Sequence, residues 1–151
     1  MNKLLDIYTK CAKLPGGKRV FSKLVSMKAP YFKTIKPLFC ELRPGYCEIT
    51  MKNRRAVQNH IKSVHAIAMC NISELTAGSM LEATLPRSMR WIPKSMNVEY
   101  LKIAKTDLKA TCEISTKDLD KPQELPMTVH VTDTNNVEVF RAVIAMHISA
   151  R

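Results

Sequence analysis

The hydrophobic pattern changes period along the chain, and each change predicts a different element. From Val64 to Leu81 most positions are apolar, and one carboxylate, Glu74, interrupts the run. A helix that is apolar on nearly every side belongs in a core. A carboxylate at that depth costs free energy unless it is paired, neutralised or used. Upstream, residues 2–14 have helical spacing, with Leu4, Leu5, Tyr8 and Ala12 on one face, until Pro15-Gly16-Gly17 breaks the pattern. A second short helix over 18–28 runs through Val20, Phe21, Leu24 and Val25 and ends at Ala29-Pro30-Tyr31. Residues 1–36 therefore form a helical lead-in that packs on the main unit; an exposed amphipathic membrane helix is the rival reading.

Period-two alternation marks the strands. Cys47, Ile49 and Met51 alternate with Glu48, Thr50 and Lys52 after a Pro44-Gly45 turn. After Pro86 the chain reads as strands throughout: Met96, Val98 and Tyr100; Leu108 to Ile114; Met127 to Val131; and Phe140 to Ile148. Residues 118–126 read as a loop and Asp133-Thr134-Asn135-Asn136 as a hairpin turn. The last strand is apolar on one face and half apolar on the other, which predicts burial on both sides, by a helix and by a partner subunit. The order is helices, one strand, a long buried helix from Val64 to Leu81, then about four strands. That is an α+β fold, one antiparallel sheet wrapped around a single central helix.

Length and composition suit one domain with a full core: 151 residues, of which 46% are hydrophobic. Five cysteines with no CxxC pair argue against a disulfide framework or a structural zinc site and predict reduced thiols in a cytoplasmic protein. No histidine pair has metal-ligand spacing. No apolar run approaches the roughly 20 residues of a membrane span, and the N-terminus lacks the apolar core of a secretion signal. The formal net charge is +11, of which +8 falls in residues 1–36. Such asymmetry predicts an anionic partner. Zinc-finger, RNA-recognition and helix-turn-helix patterns are absent, and 6% aromatic content leaves no base-stacking platform, so specific nucleic-acid binding is not expected.

Asn59, His65 and Glu74 stand at spacings of six and nine, followed by the small pair Ala77-Gly78 and, downstream, Met96-Asn97-Val98-Glu99-Tyr100-Leu101. This arrangement resembles the hotdog-fold acyl-CoA thioesterases, in the branch similar to phenylacetyl-CoA and 4-hydroxybenzoyl-CoA thioesterases. The resemblance covers roughly residues 40–150. A basic leader ending in Pro30-Tyr31-Phe32 resembles a little-characterised subgroup of that superfamily. It implies a hotdog domain over 37–151 with a helical extension over 1–36, and a homodimer or dimer of dimers with shared active sites. Two departures matter: the double glycine that follows the histidine in many relatives is Ala66-Ile67 here, and Ser95 is out of register with the serine that some relatives place on the strand after the helix, so it takes no role.

The resemblance assigns roles. The Ala66 N–H near the helix start would stabilise the thioester oxygen as charge develops. His65 would add a donor or orient the acyl group, Asn59 would hold the water or the carboxylate, and Glu74 would act as general base or as nucleophile. If His65 and Glu74 both lie on one regular helix, nine residues put them on opposite faces, so two subunits must contribute. No cofactor is required; coenzyme A enters as part of the substrate. Its phosphates could be met by Arg87, Arg90 and Lys94 after the helix or by Lys52, Arg54 and Arg55 before it. The N-terminal charge exceeds what one coenzyme needs and predicts an acidic carrier protein or an anionic membrane surface. The competing readings are an acyl-CoA or acyl-carrier binding protein without turnover, a hotdog dehydratase or hydratase, and a charge-driven nucleic-acid or membrane binder.

Overall fold

The structure is a computed structural model describing residues 2–151. Helices α1 (Lys3–Ala12) and α2 (Gly17–Lys28) lead through a 3-10 segment, Pro30–Ile35, into strands β1 (Leu38–Arg43) and β2 (Tyr46–Met51). The long helix α3 (Ala66–Thr84) follows, then β3 (Met89–Tyr100), β4 (Leu108–Glu113), β5 (Gln123–Thr132) and β6 (Glu138–Ala150). The six strands form one sheet in the order β1-β2-β4-β5-β6-β3, with every neighbouring pair antiparallel. Ile72, Ala77, Met80 and Leu81 of α3 are fully buried against Ile49, Ala110, Val129 and Ile144 on the concave face of the sheet. This is the hotdog arrangement, with one helix held in a curved antiparallel wrap. No helix among the described residues is long and apolar enough to cross a membrane.

The N-terminal helices join the same core. Phe21 of α2 stacks edge-on with Tyr8 of α1 at 5.1 Å and with Phe39 of β1 at 5.0 Å. Aromatic pairs at such distances favour edge-to-face contact. The Ser22 hydroxyl of α2 accepts a hydrogen bond from the Phe39 N–H at 2.9 Å, which ties the helix to the edge strand.

Four boundaries differ from the sequence pattern, each for a local reason. β1 was not foreseen, because a register irregularity between Phe39 and Glu41 breaks its alternation. α3 begins at Ala66 and ends at Thr84, two residues later and three residues further than expected, and stops before Pro86. β3 starts at Met89, and Pro93 lies inside it; an edge strand tolerates a missing N–H. β5 starts at Gln123 within the expected loop and contains Pro126, where β6 is its paired neighbour and β4 has already ended.

The last strand is buried on its inner face, and within one chain its outer face, the one expected to meet a partner subunit, is open at Val143. Val143 on its outer face is 37% exposed. The same face carries Arg141, paired with Glu138 at 2.5 Å, and Glu138 also meets His130 at 2.6 Å. Those hydrogen bonds, Arg141 first, hold the Glu138 carboxyl down to about 2. The 133–136 turn forms as expected: the Asp133 carboxylate accepts from the N–H groups of Asn135 (2.8 Å) and Val137 (2.9 Å), and Asn136 takes φ 59°.

Candidate active site

The start of α3 is fixed from both sides. The His65 N–H donates to the Val57 carbonyl and the Val64 N–H to the Ala104 carbonyl, both at 2.8 Å. Asn59 organises the loop between them: its side-chain oxygen accepts from the N–H groups of Ile61 and Ser63 at 3.1 Å, and its amide donates to the Ser63 hydroxyl at 2.8 Å. Asn59 is thus committed to shaping the approach to the helix.

His65 is the N-cap. Its backbone is extended, φ −64° and ψ 140°, and its Nδ1 accepts from the Ile67 N–H at 3.0 Å. With Nδ1 accepting, the neutral ring carries its proton on Nε2, a donor at an exposed position. The Ala66 N–H has no acceptor among the described residues. It is one of the orphan donors of a helix start, where the macrodipole favours negative charge. The first turn therefore leaves two donors without an acceptor among the described residues, the Ala66 N–H and the His65 Nε2–H.

The opposite-faces expectation fails in its premise, because His65 precedes the regular helix. Ile67 and Glu74, at about 100° per residue, share a face. What separates the donors from the carboxylate is axial: Ala66 to Glu74 is about 12 Å of helix.

Glu74 is half-buried and makes no hydrogen bond or ion pair among the described residues. It lines a cleft of about 900 Å³ between α3, β3 and the N-terminal helices. Leu4 and Ile7 of α1, Leu24 and Val25 of α2, and Phe32 give that cleft an apolar wall. A second carboxylate, not singled out by the sequence pattern, lines the same cleft. Glu82 lies two turns beyond Glu74 and accepts from the Trp91 indole N–H at 3.0 Å and from the Asn2 amide at 3.4 Å. The i, i+4, i+8 spacing of Glu74, Gly78 and Glu82 was the available signal. Asn71, one turn before Glu74, donates to the Thr34 hydroxyl at 3.1 Å but buries a side-chain oxygen with no partner.

Gly78 is required by close approach. A Cβ there would stand 2.6 Å from the Trp91 ring, which the bond to Glu82 holds in place. Gly78→Ala is expected to destabilise the fold by about 1–3 kcal/mol through overpacking. A shift in emission of Trp91, the single tryptophan, alongside a lowered denaturation midpoint would register it.

The expected phosphate contacts are not brought together. Arg87 lines the Glu74 cleft with Lys3, Lys28 and Arg151. Arg90 instead donates to the Ser149 hydroxyl at 3.1 Å, and Lys94 pairs with Glu124 at 3.0 Å, both along β3. Before the helix, Arg54 donates to the Thr34 carbonyl, Lys52 pairs with Asp107 at 2.8 Å, and Arg55 is exposed in a short 3-10 turn. All five cysteines are free thiols, and burial pushes the Cys47 thiol well up and Cys112 to about 12. Among the described residues no group of His, Cys, Asp or Glu could hold a metal ion.

Residues 17–148 match the family model DUF4442, a domain of unknown function. A solved structure named genomics APC5556 is 40% identical, with 98% of this chain and 99% of that one covered at a TM-score of 0.87. PA5026 from Pseudomonas aeruginosa, named a protein of unknown function and probable thioesterase, is 19% identical over 91% of this chain and 97% of its own, at 0.80. A variant of the thioesterase SAV0944 from Staphylococcus aureus is 14% identical over 80% and 98%, at 0.70. No curated protein matches the chain in sequence.

Proposed function

The chain belongs to the DUF4442 family, and from that premise we propose that it hydrolyses an acyl-CoA or acyl-carrier thioester at a site shared between two copies. The observation that carries this reading is Glu74: a carboxylate without a partner among the described residues, in a cleft with an apolar wall and a basic border, on the helix whose first turn leaves two donors unused. Structural ion pairs do not leave the acid unpaired. An acid without a protein partner is available to act as base or nucleophile.

In the proposed reaction the thioester oxygen sits between the Ala66 N–H and His65 Nε2–H. Glu74 of the second copy takes a proton from water as the water oxygen bonds the carbonyl carbon. The tetrahedral intermediate then expels the thiolate, which takes the proton from Glu74. Direct attack by Glu74 would give an anhydride that water then opens. The 12 Å of helix between donors and acid is too long for one carbonyl to meet both within a protomer. A second copy has a place to join: β3 is a twelve-residue edge strand with Ile92 exposed, and Ile67 is exposed at the start of α3. Arg87 and Arg151 beside the cleft, and Arg54 and Arg55 before α3, are the basic groups best placed for the phosphates of coenzyme A. The relatives named as thioesterases add support by analogy of fold.

A thiol-release assay over acyl-CoAs of varied chain length and aromatic character tests the reading. Turnover supports it. Thermal stabilisation by an acyl-CoA without turnover favours a binding protein instead, an outcome to which the methyl group of Ala66, narrowing the approach to the donor, would contribute.

A further inference from the structure

Helix α2 carries two apolar faces, and the fold uses one of them. Phe21 and Val25 point inward, with Phe21 1% exposed. On an adjoining face Val20, Leu24 and Met27 are 54%, 46% and 71% exposed. At about 100° per residue these three fall within an arc of roughly 60°. Tyr31, in the 3-10 segment that follows, is 65% exposed. The stripe is bordered by cations: Arg19 and Lys23 on one flank and Lys28 on the other.

The charge around the stripe is of one sign. From Ile7 to Cys40 there are eight Lys or Arg and no acid. None of the eight enters an ion pair among the described residues, and no acid lies among them in sequence to supply one. On the Arg19 flank, Lys23, Lys33 and Lys36 face a groove of about 730 Å³ that also presents the Ser26 and Thr50 hydroxyls; its two acids are already engaged, Asp107 with Lys52 and Asp133 with the N–H groups of its own turn.

We propose that α2 is an interfacial helix: the Val20–Leu24–Met27 stripe inserts into an anionic lipid leaflet, and the flanking cations, with the groove beside them, take lipid phosphates. A narrow apolar stripe between basic borders is what such seating requires, because apolar insertion and electrostatic attraction act together. A soluble acidic partner would account for the cations but not for aliphatic side chains projecting between them. Leu24 belongs both to the stripe and to the wall of the Glu74 cleft, so this orientation sets the cleft mouth at the leaflet. The surface stands independently of whether the cleft hydrolyses thioesters.

Co-sedimentation of the full chain with phosphatidylcholine vesicles, with and without about one-third phosphatidylglycerol, tests the proposal. Binding is expected only with the anionic lipid and is expected to weaken with salt. The double substitution Val20→Asp with Met27→Asp should reduce it at least about tenfold while leaving the thermal midpoint unchanged, since both side chains are exposed. Arg19→Glu with Lys23→Glu should do the same. Failure of the unaltered chain to bind anionic vesicles overturns the proposal. So does undiminished binding by the Val20/Met27 variant, which would mean charge alone. Loss of a dimer in that variant by analytical ultracentrifugation assigns the stripe to a second copy and equally overturns it. Selective binding of a soluble acidic carrier protein, with vesicles left unbound, does so too.

Discussion

Glu74→Gln is expected to lower kcat for acyl-CoA hydrolysis by about 10²–10⁴-fold, the range for loss of a positioned base or nucleophile. The substitution keeps the side-chain volume and removes only the charge and the proton-accepting capacity. Glu74 is half-buried and has no partner among the described residues, so no hydrogen bond or ion pair is sacrificed. Thermal stability should therefore hold or rise, because a desolvated charge is removed. Stability that fell steeply while activity persisted would make Glu74 a structural acid. Steady-state thiol release beside a denaturation curve separates the two outcomes.

Ala66→Pro is expected to cost about 10²–10³-fold in kcat with little loss of stability. Ala66 is the first residue of α3, the helical position where proline is most at home. Its N–H has no acceptor among the described residues, so the fold loses no bond when that hydrogen goes. The preceding His65, at φ −64° and ψ 140°, already has the extended backbone that a following proline demands. The substitution removes one oxyanion donor and little else. An unchanged kcat would show that the first turn of α3 does not hold the reacting oxygen.

The central helix and most strands were legible because their periods are clean. The run from Val64 onward has few polar positions, and 108–113 alternates without interruption. Where the pattern misled, a local backbone device intervened. The irregularity after Phe39 hid β1, and Pro93 and Pro126 disguised the starts of β3 and β5. Both prolines are tolerated because each strand lacks a neighbour on one side there, a property of topology that no window of sequence contains. On the outer face of β6, apolar Val143 and Ala145 stand beside a charged network that only strand pairing assembles.

The site was legible in part. The spacing of Asn59, His65 and Glu74 carried the resemblance that pointed to Ala66, and the structure sets Ala66 and Glu74 on α3 and His65 at its cap. It could not separate Asn59 as a loop organiser from Asn59 as a catalytic amide, since both uses need the same residue at the helix approach. Nor could it foresee that α1 and α2 would wall the Glu74 cleft, because their packing depends on Phe21 meeting Tyr8 and Phe39 across the chain. Trp91 over Gly78 is of the same kind, a contact between helix and edge strand with no signature in either segment alone.

The claim that two copies build each site is tested most directly by mixing Glu74→Gln subunits with Ala66→Pro subunits, each near-inactive alone. In a mixed dimer one site receives an intact Glu74 from one subunit and an intact Ala66 N–H from the other, while its counterpart carries both defects. Random assortment should then restore about one quarter of the unaltered activity. If mixed dimers form and turnover stays at the level of the separate variants, the acid and the donors act within one subunit and the shared site is contradicted.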